Sequence, residues 1–574
     1  MIRTTFIALL LSFLAFGGTR LAAQDLVPGK IKVRIPVSKE QIKNISFTIH
    51  RENLKNDSLD LLIDPVDIKM LEKEYSGFRR IQSAPALDDT DMAADLEEAL
   101  TFTKYPTYPQ YDSMMHYFAA SYPEICKLDT FGLSKEGRLL LALKISDNVD
   151  ADEDEPAFLY TSTMHGDELI GFVLSLRLID FILENYGSNI EIDRIVNDVE
   201  IWINPLSNPD YTYYGNSYSV ANSTRPYNFD DYLNLNRGFP DPASGDENDT
   251  SGIYLENQYM MLFMMEKEFN LSANMHSGAE VVNYPWDHTY DLHPDDEWYR
   301  LISREYADLA HEVNPSYLNG FTDGITNGAD WYVIYGGRQD YVNYYLQGRE
   351  VTLELSDIKK VASGSLETYW NYNKWSLINM ISQARYGVHG MVNSKISGTP
   401  IAAKIWIMNH DDEHSWVKSD PLSGYFYRYL KEGSYSLVVS ADEYITDTIR
   451  NVMVYDFQKT ELEILLDSVA SPVDTSDNKT DTTVNQLAAN QLEWRINMYP
   501  VPAADDLFIK FHPSTEQTIQ YEIYGIDGKV MSTGLINRNT SVFILPVSRL
   551  QNGMYYLKLS QGANSYVSRF VIRR

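Results

Sequence analysis

At 574 residues the chain exceeds one ordinary compact domain, and 44% apolar with 22% charged residues is the composition of folded rather than disordered protein. Forty-eight basic residues against 80 acidic ones give a net charge of −32, which argues against nucleic acid as a partner, since no basic stripe is visible. The single cysteine, Cys126, excludes internal disulfides, cysteine zinc sites and CxxC redox chemistry, and neither a GxSxG elbow nor a GxxxxGK phosphate loop occurs.

Residues 1–23 begin with Arg3, pass through an apolar run from Phe6 to Phe16 and end in Leu21-Ala22-Ala23, the order of a secretory signal peptide. The run is too short to span a bilayer and none after residue 25 is long and apolar enough, so the mature chain is expected to be exported without a transmembrane segment. Residues 24–99 read as a small α+β unit: strands Lys32–Val37 and Ile45–His50, a helix Val66–Tyr75, then an acidic stretch from Ala84 to Glu98. A pro-region over an active site and a structural appendage are equally open readings of it.

From 100 to 386 strand and helix patterns alternate. Arg138–Ile145 and Ala157–Thr161 are continuous apolar strands of the buried kind, Leu169–Glu184 is an apolar-periodic helix, and Val199–Pro205 is a further strand. This predicts an α/β fold, a mixed sheet with helices on both faces and chemistry at the carboxyl ends of its strands. Residues 387–467 carry strands only, at Ile405–Met408, Tyr435–Val439 and Glu461–Leu465, and predict a small β-sandwich. Residues 468–492, rich in Ser, Thr, Asp and Asn, read as a flexible linker. A second small β-sandwich is expected at 493–574, from strands Leu507–Ile509, Gln520–Tyr524 and Met554–Leu559 with turns at Asp527-Gly528 and Asn552-Gly553. Its segments Tyr499-Pro500-Val501-Pro502-Ala503, Ile526-Asp527-Gly528-Lys529 and Arg569-Phe570-Val571-Ile572 resemble the C-terminal sorting domain of type IX secretion cargo, with Val501 where that pattern has Asn. The resemblance implies export machinery as a partner and a secreted or cell-surface location; an adhesion or carbohydrate-binding sandwich is the other reading.

At the end of strand 157–161 stands Met164-His165-Gly166-Asp167-Glu168, whose His and Glu at i and i+3 can converge on one metal ion. Spacing alone decides little. His288-Asp291, His293-Asp296 and His410-Glu413 share it and read as solvated polar pairs, and His410 to His414 as a solvated loop. Only the first sits where a buried strand meets a helix. A catalytic zinc wants three protein ligands and an open position, and His276 in Ala273-Asn274-Met275-His276 fits as the distant third.

The ordered segments MHGDELIG, NPLSNPD, LNLNRGFPDP, LSANMHSGAEVVNYPWD, ITNGADWYVIYGGRQD and VTLELS resemble a zinc metallocarboxypeptidase of the carboxypeptidase N/E branch. The likeness covers 100–386, and GVHGMVNSKISGTPIAAKIWI with LKEGSYSLVVSADEY resembles that branch's transthyretin-like sandwich. What the resemblance implies is one Zn²⁺ per catalytic domain on His165, Glu168 and His276, with Glu354 as general base and Arg225 as the carbonyl-polarising cation. It implies Asn236 and Arg237 as the clamp on the substrate's terminal carboxylate, and Tyr332 as the tyrosine that closes over it. Asp287 and Gln339 stand where basic-specific members hold their pocket residues, so peptide or protein C-termini ending in Lys or Arg are the expected substrates. Arg338, beside Gln339, is placed in sequence to neutralise part of the Asp287 charge. Two alternatives remain from the sequence: an inactive module that holds peptide ends, and a zinc amidase acting on peptidoglycan stems.

Overall fold

The computed structural model describes residues 92–469 except 226–233, Asp152, Ser251 and Glu413, three strands before them, and strands with adjoining residues between 495 and 572. The expected signal peptide, strand 45–50 and helix 66–75 lie outside the described residues, as does most of the expected linker. Two compact units divide the chain at residue 470.

In the first unit, eight strands form one mixed sheet. They are β1 (Cys126–Leu133), β2 (Leu139–Ile145), β3 (Ala157–Ser162), β4 (Glu200–Asn204), β5 (Leu271–His276), β6 (Ala279–Tyr284), β7 (Ile325–Asn327) and β8 (Arg349–Ser356). Their order is β7-β6-β8-β5-β3-β4-β2-β1, with β8, β5, β3 and β4 running parallel at the centre. β3, β5 and β8 are buried along their whole length, as central parallel strands must be once both faces are covered.

The period of two then sorts chemistry from packing. On β5, Leu271, Ala273 and Met275 enter the main core, as do Val351, Leu353 and Leu355 on β8. The alternate residues Ser272, Asn274 and His276, with Glu350, Thr352 and Glu354, therefore face the other side, and parallel register sets Glu354 directly opposite His276.

The main core is closed by α1 (Tyr108–Ser121), α2 (Ile170–Asn185), α3 (Ile190–Asp198), α5 (Asp296–Val313) and α7 (Leu366–Ser382), while α4 (Leu255–Lys267) and α6 (Arg338–Tyr345) supply Met261, Phe263 and Tyr341 to a second apolar cluster on the opposite face. α1 starts where the sequence makes a capping box: Thr107 accepts from the Gln110 N–H and Gln110 reaches back to the Thr107 N–H. α2 meets the sheet closely at Gly171, where a Cβ would lie 2.8 Å from that of Met275. Cys126 is buried, which pushes its thiol up to about 12 and leaves it inert.

The main core draws on residues before 100. Met92 bridges Tyr105, and Ala93 and Ala99 enter the main core. Ahead of it, Ile31–Pro36 pairs antiparallel with Ser58–Ile63 and with Arg79–Arg80.

Still within the first unit, two sheets stack around their own core of Val388, Ile405, Leu437, Val439, Ile464 and Leu466. One holds β9 (Gly387–Ser394), β12 (Tyr425–Arg428) and β15 (Lys459–Leu466); the other holds β10 (Lys404–Ile407), β11 (Val417–Lys418), β13 (Gly433–Ser440) and β14 (Asp447–Val454). Ser468, placed by sequence in the linker, still bridges Tyr444. The second unit carries two sheets of three and four antiparallel strands around Leu507, Ile523, Leu557 and Phe570. Among the described residues no helix is long and apolar enough to cross a membrane.

Candidate metal centre and substrate cleft

The turn after β3 and the last residue of β5 bring His165, Glu168 and His276 together, each no more than 3% exposed. His276 Nδ1 lies 2.7 Å from Glu168 Oε2, His165 Nδ1 lies 3.0 Å from Glu168 Oε1, and the two Nδ1 atoms are 3.1 Å apart. Asn234 Oδ1 sits 2.8 Å from His165 Nε2, which places that ring's proton on Nε2 and leaves Nδ1 a bare lone pair. Asn274, two residues before His276 on the same face of β5, puts its amide 2.8 Å from His276 Nε2.

Burial, with the Arg225 charge beside it, holds the His165 imidazole well below its usual range. Burial pushes Glu168 upward, but His165, Lys359 and His276 outweigh it and hold the carboxyl well below the usual range. Two imidazole nitrogens and one carboxylate, converging from two separate stretches of chain, are the donor set of a three-ligand zinc site. Two ring nitrogens 3.1 Å apart, each within 3.0 Å of a Glu168 carboxylate oxygen, form a buried donor set that fits the ion.

Around this cluster stand two cations. Arg225 Nη2 reaches His165 Nδ1 at 2.7 Å and Glu168 Oε1 at 3.1 Å. Lys359 Nζ lies 3.2 Å from Glu168 Oε1. Glu354 is 7% exposed, and its Oε2 has no hydrogen-bond partner among the described residues. Burial, then repulsion from Glu168, raises the Glu354 carboxyl well above its ordinary value. A divalent ion among the ligands opposes that shift.

A cleft with about 290 Å³ of empty space opens beside Glu354, lined among others by Asn236, Asp287, Gly328, Tyr332 and Thr352. Asn236 Oδ1 accepts from the Arg338 N–H at 2.9 Å, and Arg237 Nη1 donates to the Asn236 carbonyl at 2.7 Å. Asp287, 3% exposed, receives the side-chain amides of Asn283 at 3.0 Å and Gln339 at 3.1 Å on one oxygen. The carbonyl oxygens of both amides have no hydrogen-bond partner among the described residues, so acceptors gather around the Asp287 carboxyl. Burial and the neighbouring Asp340 push the Asp287 carboxyl up to about 8.

A family profile described as zinc carboxypeptidase matches residues 111–376, and one described as a secretion system C-terminal sorting domain matches 497–573. Carboxypeptidase SOL1 of Arabidopsis thaliana is 34% identical over 352 residues, covering 60% of this chain and 69% of the plant protein. The carboxypeptidase N catalytic chain of Mus musculus is 32% identical over 370 residues, 57% of this chain and 78% of the mouse chain. The chain belongs to the zinc carboxypeptidase family. Carboxypeptidase D of Mus musculus is 35% identical over 367 residues, and there the match spans 26% of the relative's length. Among solved structures, thrombin activatable fibrinolysis inhibitor shares the fold at a TM-score of 0.51 and 17% identity, over 62% of this chain and 98% of that one. This zinc carboxypeptidase is therefore a peptide hydrolase, and its sorting domain makes it an exported one.

Of the residues read from the sequence, His165, Glu168 and His276 meet in one cluster that Arg225 touches, Asn236, Asp287, Tyr332 and Glu354 line the cleft, Arg237 bonds Asn236 and Gln339 bonds Asp287. Arg338 departs from its sequence reading. Its guanidinium turns away from Asp287, pairs with Glu350 at 2.7 Å with both side chains 0% exposed, and also meets the Thr161 hydroxyl. Two solvated readings are also overturned. His293 is 1% exposed, and Asp411 has a side chain 0% exposed because Arg428 ties it down. His288 pairs not with Asp291 but with Asp340, at 2.7 Å.

Four contributors went unnoticed in the sequence: Asn234, Asn283, Asp340 and Gly328. Asp340 accepts the Asp287 and His288 N–H groups, both at 2.9 Å. Gly328 must lack a side chain, since a Cβ there would stand 1.8 Å from Asp287 Oδ1. The only sequence signal for them is adjacency to assigned motifs, Asn234 in LNLNRG and Gly328 in ITNGAD.

Proposed function

We propose that this exported enzyme removes single C-terminal residues from peptides and proteins, preferring Lys and Arg, with zinc held by His165, Glu168 and His276. Zinc, when bound there, supplies a Lewis acid that acidifies water and polarises the scissile carbonyl. Glu354, facing His276 across β8 and β5, takes a proton from the attacking water and returns it to the leaving amine. Arg225 sets a guanidinium charge against the carbonyl oxygen as that oxygen turns anionic. Asn236 and the fork of Arg237 grip the free carboxylate, which restricts cleavage to the last bond. Tyr332, on the same cleft wall, closes over the bound residue. Residues 387–467 are read as the transthyretin-like companion of this catalytic region.

The observation that carries the specificity is the buried Asp287 carboxyl in the cleft wall, with two amide oxygens beside it that are unpartnered among the described residues. An ammonium or guanidinium there meets the Asp287 carboxylate in a wall that also holds the Asn283 amide, whereas an apolar side chain leaves that buried charge without a counter-ion. The test is a panel of peptides alike except for the final residue, including one with its terminal carboxylate amidated. Release of Lys and Arg ahead of Leu, with no release from the amide, is the expected pattern. Hydrolysis of the amidated peptide would overturn the exopeptidase clamp. Glu354→Gln should lower kcat by about 10³-fold while zinc content by atomic absorption stays at one per chain. Loss of metal or an unchanged rate would overturn the general-base role.

A further inference from the structure

The sandwich of β9 to β15 grips the catalytic sheet through buried charge. Arg428, at the end of β12, forks onto Asp295 with Nη1 to Oδ2 and Nη2 to Oδ1 both at 2.8 Å, and its Nη2 also reaches Asp411 Oδ1 at 2.5 Å. Arg349 approaches Asp295 from the catalytic side, Nε to Oδ2 at 3.0 Å, and donates through Nη2 to the Ser415 carbonyl of the sandwich at 2.6 Å. Two carboxylates and two guanidiniums, each at most 2% exposed, thus offset one another, and the half-buried His410 adds its Nδ1 2.9 Å from Asp411 Oδ1. Four buried charges are no cheaper than a well-packed apolar contact, so stability alone does not explain the arrangement.

Three of its catalytic-side attachments lie on backbone that leads to the Asp287 end of the cleft. The Asp295 N–H donates to His293 Nδ1 at 2.9 Å, and the His293 ring packs on Trp286, next to Asp287, with centroids 4.8 Å apart. Arg349 opens β8, which carries Thr352 and Glu354 into the cleft. On α6, Tyr344 is covered by the sandwich residue His414, ring centroids 3.4 Å apart at 21°, and the same helix carries Gln339 and Asp340. Trp298, on α5 just past Asp295, stacks on Tyr429 of the sandwich at 5.2 Å.

We propose that the sandwich is a working part of the specificity pocket, in which Arg428 and His414 are positioning residues. They touch no substrate but fix the loop and helix that aim Asp287, Gln339 and Asp340, and so set the affinity for a basic C-terminal side chain. The proposal rests on the reading of Asp287 as the cation-binding group.

The experiment compares kcat and KM on two peptides ending in Lys or Leu for the zinc-loaded full chain and for Asp287→Ala, Arg428→Lys, His414→Ala and His414→Phe, with Tm for each. Arg428→Lys keeps the charge and loses the fork, and His414→Ala removes the stacking ring at the sandwich edge. Each is expected to raise KM for the Lys peptide about fivefold, with kcat and the Leu peptide changed by less than about twofold. His414→Phe restores the stack and should return KM to that of the parent. Asp287→Ala is the control for the underlying reading: if it leaves the Lys preference intact, the cation-binding assignment fails. If it abolishes the preference while Arg428→Lys and His414→Ala leave KM unchanged, or lower both substrates equally, the positioning role is overturned. Should Arg428→Lys fail to fold, the His414 pair decides the matter alone.

Discussion

At the scale of single residues, the cleft end is defined by what is withheld as much as by what is present. Gly328 leaves room for the Asp287 carboxylate, and a methyl placed 1.8 Å from Oδ1 has to displace either the oxygen or the turn that bears the glycine. Gly328→Ala should therefore raise KM for Lys-ending peptides by about tenfold, with zinc content and Glu354-dependent turnover of Leu-ending peptides retained. Asp287 also predicts a pH dependence. In the empty cleft its carboxyl titrates near 8, raised by burial and then by Asp340, so below that value it is protonated and cannot pair with an ammonium. Binding a cationic side chain favours the ionised form, so a proton leaves on binding and KM for Lys substrates should fall as pH rises, by about tenfold per unit, flattening above about 8. A Leu-ending peptide measured in parallel should lack this slope; an identical slope for both would place the titration elsewhere. The residues of the metal cluster and of the cleft wall could be singled out in the sequence because each sits in a motif of unusual composition. Asn283 and Asp340 were not, because an amide or carboxylate that orients another side chain carries no local pattern of its own.

Secondary elements repeat the division between legible and hidden. The continuous apolar run at Ala157–Thr161 announced its strand, since burial on both faces leaves no other composition stable, and the β-branched and aromatic run Tyr435–Val439 announced another; the observed ends differ by only one or two residues. What the runs could not show was the pairing of β8 with β5, a contact between residues 78 apart that depends on the whole sheet being assembled. Charged residues inside strands misled in the opposite direction. Glu350 and Arg349 occupy the first positions of β8, where alternation suggests an exposed end, yet both are no more than 1% exposed because α6 and the sandwich cover them. The Glu350 carboxylate takes Ser272 Oγ at 2.7 Å from β5 and Arg338 Nη2 at 2.7 Å from α6, and so ties that helix to two central strands. Arg338→Met alone strands a buried anion and should destabilise the chain by about 3–5 kcal/mol in urea unfolding. Adding Glu350→Leu removes the anion too and should recover most of that loss. A double variant as unstable as the single one would show that packing volume, rather than charge pairing, governs this junction.

Across the whole molecule, export and catalysis occupy separate compact units. Each of the ten site residues lies in the unit that ends at residue 470, and the sorting profile lies wholly in the other. The ionic network around Arg428 likewise lies within the first unit. Each unit also has its own apolar core, Leu507 to Ile572 in the second and the larger clusters in the first, which is the physical condition for independent folding. A chain stopped after residue 470 should accordingly bind zinc and cleave Lys-ending peptides with kcat/KM within about twofold of the full chain. In the producing cell the same truncation should keep the enzyme from the medium and the cell surface, since the sorting domain is gone while the active site is intact. Assaying carboxypeptidase activity and immunoblot signal in parallel, in cell and medium fractions, separates the two effects. Loss of activity in the purified short form would mean that the second unit supports the cleft, and export of an active short form would mean that it is not the address.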